Sequence, residues 1–176
     1  MRTLLLAVFL TAALSAREQP KTPQTLKEVL LEQLRTTHNE KDWFVPISVA
    51  VEGLTPAQVT WTDGDGNHSI GQLVNHLAFW NARALQEFNG EKPAAFSGNN
   101  DETFNKFDSK EWTATVNRLD SVMKAWEKAV QEADDSKIKA SASLVAHVST
   151  HNAYHVGQII YIRRLQGSWD ASKGVK

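Results

Sequence analysis

Three histidines spaced four residues apart, His147, His151 and His155, sit in residues 143–166, a stretch that reads as one continuous helix. Four residues is slightly more than one helical turn, so the rings drift only modestly around the axis and stay among Leu144, Val148, Ile159 and Ile162. That face is apolar and belongs in a core. A core accommodates one hydrogen-bonded imidazole readily, but three in a row demand partners, and a divalent metal is the partner that uses an i, i+4 histidine pair best. At about 1.5 Å rise per residue, His147 and His155 lie roughly 12 Å apart along the axis, near the limit for two imidazoles reaching one ion. An adjacent pair fits comfortably: His147 with His151, or His151 with His155, completed by a group from another helix.

Protease chemistry is disfavoured within the same stretch. A zincin carries H-E-x-x-H, whose glutamate is the general base. Here the pentapeptide is His151-Asn152-Ala153-Tyr154-His155, and an asparagine takes no proton at neutral pH.

The 176 residues, 41% of them hydrophobic, suffice for one domain with a substantial core. Lys+Arg number 19 against Asp+Glu 20, with no basic run to track a phosphate backbone, so nucleic acid is not an expected partner. Residues 1–16 read as a secretory signal: Arg2, an apolar run from Leu4 to Leu14, then small Ser15 and Ala16. The run falls short of the ~20 residues needed to span a bilayer, so cleavage, export to the periplasm or medium, and no stable membrane insertion are expected. There is no cysteine, which removes disulfides, thiolate ligands and a catalytic thiol, and leaves histidine and carboxylate chemistry.

Residues 17–24 read as a linker and 25–176 as the domain. Thr25 to Glu28 is a capping box that opens a first helix with Leu26, Val29, Leu30 and Leu34 on one face. His38, in its last turn, is expected to face solvent and complement the helix dipole. Residues 42–61 are ambiguous: Ile47, Val49 and Val51 alternate as in a strand, whereas Pro46 and Gly53 bracket a short helix and Thr55 to Gln58 caps another turn. Ser69 to Gln72 caps a second long helix whose apolar stripe runs Ile70, Leu73, Leu77, Trp80, Ala84, Phe88. His76 sits beside that stripe and is the best third ligand, facing the pair on residues 143–166. His68, in the preceding loop, is expected to be exposed. Residues 90–108 read as a long connection, and Trp112, Val116, Leu119, Met123, Trp126 and Val130 form the seam of a third long helix without ligands. Gly167 ends the fourth, and Trp169 is expected to fold back on the bundle.

Four long amphipathic helices predict an all-α four-helix bundle with a metal site between facing helices. Asn67-His68-Ser69-Ile70-Gly71-Gln72-Leu73-Val74-Asn75-His76-Leu77 and residues 147–158, ending Tyr154-His155-Val156-Gly157-Gln158, resemble the two histidine segments of the DinB/YfiT-like superfamily. Gly53-Leu54-Thr55-Pro56 and Leu165-Gln166-Gly167-Ser168-Trp169-Asp170 resemble its usual punctuation, so the likeness spans nearly everything after residue 16. The resemblance implies a four-helix bundle holding a divalent metal on one histidine of the second helix and two of the fourth: His76, His151 and His155. His147 then becomes a pocket-lining or supporting residue. Members with demonstrated chemistry resemble S-transferases and isomerases that use a low-molecular-weight thiol in the cytoplasm, whereas this chain reads as exported.

Three neutral imidazoles leave an ion's charge uncompensated and a coordination position open, a site that binds anions or ionises water. The expectation is one divalent ion, zinc or nickel first and iron or manganese also compatible, in a metal-dependent hydrolase or thiol S-transferase acting on a small molecule. Trp80, Arg83 and Gln158 fall near the ligand faces and are candidate pocket residues. A non-catalytic metal- or ligand-binding envelope protein is the competing reading, and homodimerisation is open.

Overall fold

The computed structural model describes residues 22–23, 25–64, 66–105 and 107–175; the expected signal segment lies outside them. Helix α1 (Leu26–His38) opens on the expected capping box, Thr25 Oγ1 accepting from the Glu28 N–H while the Glu28 carboxylate accepts from the Thr25 N–H. The ambiguous stretch after it resolves into two short helices, α2 (Ile47–Val51), with Pro46 as its N-cap, and α3 (Pro56–Thr60), capped by Thr55 and Gln58. No strand occurs among the described residues. A lone strand here would have had nothing to pair with, while a helix buries Ile47, Ala50 and Val51 on one side.

The second long helix, α4 (Ile70–Phe88), starts at the Ser69–Gln72 box. The connection after it is not featureless: it contains α5 (Glu102–Asn105) and a 3-10 turn (Ser109–Glu111) leading into α6 (Trp112–Glu132). The fourth long helix, α7 (Asp135–Leu165), is 31 residues long and is capped by Asp134. It ends where Gly167, at φ 69°, lets the Ser168 N–H reach back to the Arg163 carbonyl at 2.8 Å.

In the bundle α4 packs against α6 and α7, and α1 against the same two. Helices α6 and α7 therefore face one another across the diagonal, although only Ala133 and Asp134 join them. The core has two apolar halves. One gathers Leu73, Leu77, Met123, Val156 and Ile159 with α2 and α3; the other gathers Leu30, Leu34, Phe88, Trp126, Val130 and Val145. Between them lies a buried polar layer. Asn81 Nδ2 donates to Asn152 Oδ1 at 2.7 Å, Asn152 Nδ2 returns to Asn81 Oδ1 at 3.2 Å, and Trp126 Nε1 donates to the Asn81 carbonyl at 3.0 Å. Asn152 thus points into the core, which is why the residue that breaks the zincin pattern is not at the histidine site.

His38 corrects the expectation of a solvent-facing residue. It is 1% exposed, with Nδ1 2.5 Å from Glu127 Oε1 and Nε2 3.0 Å from Asp120 Oδ1, both on α6. The row of Leu30 and Leu34 carries the ring inward, and two acidic groups more than eighty residues away supply its partners. Trp169 does fold back, packing on the core and under the Arg163 guanidinium, 5.4 Å from its ring centroid.

Candidate metal centre

The stripe that buries Leu73 and Leu77 on α4 also buries His76, one turn after Leu73 and next to Leu77. On α7, His151 and His155 follow Val148 along the inward arc. The bundle brings the three together. His76 Nε2 lies 3.1 Å from His151 Nε2, and His155 Nε2 lies 3.0 Å from the same atom. All three ligand atoms fall within 4.8 Å of one another.

The far side of two rings decides what the near side offers. Thr103 Oγ1 donates to the Asn100 carbonyl at 2.7 Å, so toward His76 Nδ1, 2.6 Å away, it can only accept. The proton of His76 therefore sits on Nδ1 and its lone pair on Nε2. In the same way His155 Nδ1 donates to Gln158 Oε1 at 2.6 Å, and Gln158 Nε2 donates to the Tyr154 hydroxyl at 3.2 Å. Two lone pairs thus converge on His151 Nε2, which has at most one proton to share between them. Such a donor set fits a cation. Nitrogens about 2.0–2.1 Å from a tetrahedral ion lie roughly 3.4 Å apart, close to the separations seen.

Charge state agrees with this. Burial, reinforced by the His155 and His151 rings, pushes His76 down to about 3. Burial and the His151 ring push His155 down to about 4 against the opposing Gln158 hydrogen bond, and burial lowers His151. The neutral imidazoles that a metal requires are therefore the forms this environment favours.

The three rings border a cavity of about 640 Å³, with Trp80, Phe104 and Leu73 on one side and Leu144, Val148 and Tyr154 on the other. It reaches solvent past exposed Asn100, Asp101, His147 and Tyr154. Phe104 is sandwiched between two imidazoles, 4.0 Å from His76 and 3.7 Å from His68, nearly parallel to both. His68 is consequently half-buried against Phe104 rather than exposed as expected. Trp80 does line the cavity, with Nε1 held by Asn100 Oδ1 at 3.1 Å, and Gln158 lines it as well as supporting His155. His147 also lines it, but is exposed and lies outside the three-nitrogen cluster.

Arg83 is not there. It faces a different cavity, where it donates to the Ala94 carbonyl at 2.7 Å and lies over the Phe96 ring, because its position on α4 points toward the 90–108 connection. Sequence reasoning missed Thr103, Phe104, Asn100 and Asp101, all from that connection. The available signal was the Asn100-Asp101 pair, residue types that favour a helix start, followed by the acidic Glu102.

Fold and site together define a class: an all-α bundle with three histidines converging from two facing helices. The chain belongs to the DinB superfamily, whose family profile matches residues 47–159. Among solved structures it is similar to YfiT from Bacillus subtilis, described as a probable metal-dependent hydrolase with an unusual four-helix bundle topology. The TM-score is 0.63 at 20% identity, over 86% of this chain and 94% of that one. No curated protein sequence matches.

Proposed function

We propose that His76, His151 and His155 hold one divalent ion and that the protein is a metal-dependent enzyme, hydrolase in type, acting on a small molecule. The observation that carries this is the convergence of two fixed Nε2 lone pairs on His151 Nε2 at the wall of a cavity open to solvent. A purely structural site would be closed on all sides. A divalent ion held there supplies Lewis acidity, polarising a carbonyl oxygen and lowering the pKa of water.

The chain's own groups do the rest. Thr103 and Gln158 orient the ligand rings, while Trp80, Phe104 and Leu73 dry one side of the reaction space. Among the described residues lining the cavity there is no serine, threonine, cysteine or lysine, and the reading rests on attack by water made more acidic by a bound ion. The YfiT description points the same way. Thiol S-transfer is the second reading, supported by the same open position.

Elemental analysis of the purified protein, saturated with zinc or nickel and freed of excess, is expected to give one ion per chain. Content far below one would remove the site. A screen of neutral carboxylic esters and amides against thiol-transfer substrates then separates the two enzyme readings, and activity with neither favours a non-catalytic binder. Export, read from the apolar run at residues 4–14, belongs to the same proposal. Protein recovered from its native envelope is expected to have the mass of residues 17–176, and an intact Met1 would refute cleavage.

A further inference from the structure

We propose that the histidine cavity selects neutral or cationic ligands over anionic ones, and that Asp101 sets this preference. The proposal deepens the reading of the cavity as a substrate site and rests on it.

Charged groups around the cavity are unequally distributed. Among the described residues no lysine or arginine lines it, and none lines the adjoining cavity of about 400 Å³ with which it shares His68, Leu73 and Gln158. Each has one carboxylate, Asp101 in the first and Asp63 in the second. Arg83 on α4 and Arg118 on α6 are engaged elsewhere. Arg83 is turned to the Ala94 carbonyl, and Arg118 donates to Asn75 Oδ1 at 3.0 Å and Thr115 Oγ1 at 3.3 Å. Sites that hold carboxylates or phosphates provide guanidinium or ammonium donors for them, and the described lining residues include neither, so that a bound ion would be the positive charge they present. One ion can take one reacting group, which leaves the body of the ligand against the walls.

Those walls suit an apolar or cationic body. Trp80 and Tyr154 are aromatic lining of the cavity, and aromatic faces attract cations as well as apolar groups, while Phe104, stacked on both faces by His68 and His76, adds an apolar edge. Asp101, exposed at the mouth, supplies the matching negative charge. Its role in the fold runs through its backbone, whose carbonyl accepts from the Phe104 and Asn105 N–H groups at 3.1 and 3.0 Å, so its side chain can be changed without unmaking α5. The expected substrates are therefore esters or amides with an uncharged or monocationic aromatic body. Acidic thiols and phosphorylated compounds are disfavoured.

Three benzohydroxamates with trimethylammonio, methyl or sulfonato groups at the para position test this, because all three present the same two oxygens to an ion. Calorimetric titration of the zinc-loaded protein at pH 8, where an ordinary imidazole is neutral, is expected to rank them cation, neutral, anion. The outer two should differ by about tenfold, the size expected for one partly exposed charge together with an aromatic wall. Asp101→Asn should reduce that ratio at least about threefold, Asp101→Lys should reverse the order, and 0.5 M salt should compress it. Circular dichroism checks that both variants keep the bundle. The metal-free protein should bind more weakly in the same order, so loss of the zinc site and loss of the charge preference are separately readable. Tighter binding of the sulfonate, an unchanged ratio in Asp101→Asn, or no binding of any probe would overturn the proposal.

Discussion

Replacing His76, His151 or His155 with alanine is expected to abolish tight binding of a divalent ion, while His147→Ala leaves it nearly intact. The first three each contribute one of the nitrogens that meet within 4.8 Å, whereas the His147 ring lies outside that cluster at the exposed rim. Thr103→Val should fall between them, weakening affinity by about 10- to 100-fold, because it removes the acceptor that keeps the His76 proton on Nδ1 while preserving side-chain shape. Thr103→Ser should restore binding. Competition against a chromogenic chelator measures the series, and circular dichroism verifies that helicity survives, since the two apolar halves of the core hold the bundle independently of an ion. Should His147→Ala lose the ion while His155→Ala keeps it, the ligand pair on α7 is the wrong one.

Arg163→Ala is expected to be strongly damaging although it lies outside the site, lowering stability by roughly 3 kcal/mol or more. The side chain is 4% exposed and its guanidinium donates to three carbonyls: Ala50 at 2.8 Å, Glu52 at 3.1 Å and Ser168 at 2.8 Å. It thereby joins the end of α2, the end of α7 and the tail that brings Trp169 onto the core. Burial lowers the Arg163 pKa, but an arginine remains charged throughout the accessible range. Truncation would leave those carbonyls without their donor and unseat Trp169. Arg163→Lys should recover only a small part of the loss, because a single ammonium does not reproduce the planar fork. Urea denaturation reads both variants, and a loss under 1 kcal/mol for Arg163→Ala would show that the tail is held by other means.

Much of the scaffold was legible because its signals are local. The Thr25–Glu28, Thr55–Gln58 and Ser69–Gln72 boxes each start a helix where they were read, and the apolar steps along α4 and α6 do bury Leu77, Met123 and Trp126. The four-residue spacing left two adjacent pairs open, His147 with His151 or His151 with His155, and the resemblance to the DinB/YfiT-like segments pointed to the second, which the bundle brings beside His76. What escaped depends on partners distant in sequence. His38 looks like a terminal, solvated histidine until Glu127 and Asp120 are seen beside it. Arg163 reads as a last-turn cation until the tail covers it. Thr103 and Phe104 sit in a segment whose glycine, asparagine and proline content resembles plain loop, and only folding against α4 reveals their contact with His76. Asn152 stood out in the sequence only as the residue that replaces a protease's glutamate, and its place on the buried stripe between Val148 and Val156 becomes visible with Asn81 beside it.

The asparagine pair between α4 and α7 also constrains how those helices can slide past one another. Apolar side chains tolerate small displacements along a neighbour, since one leucine replaces another with little penalty, and two long helices meeting only through such contacts have several nearly equivalent alignments. A one-turn slip would carry α7 about 5.4 Å along α4. That displacement would separate Asn81 from Asn152 and leave both amides stranded in an apolar interior. It would also carry His151 and His155 away from His76. The polar layer therefore acts as an alignment pin, so that the three nitrogens meet through a contact that touches none of them.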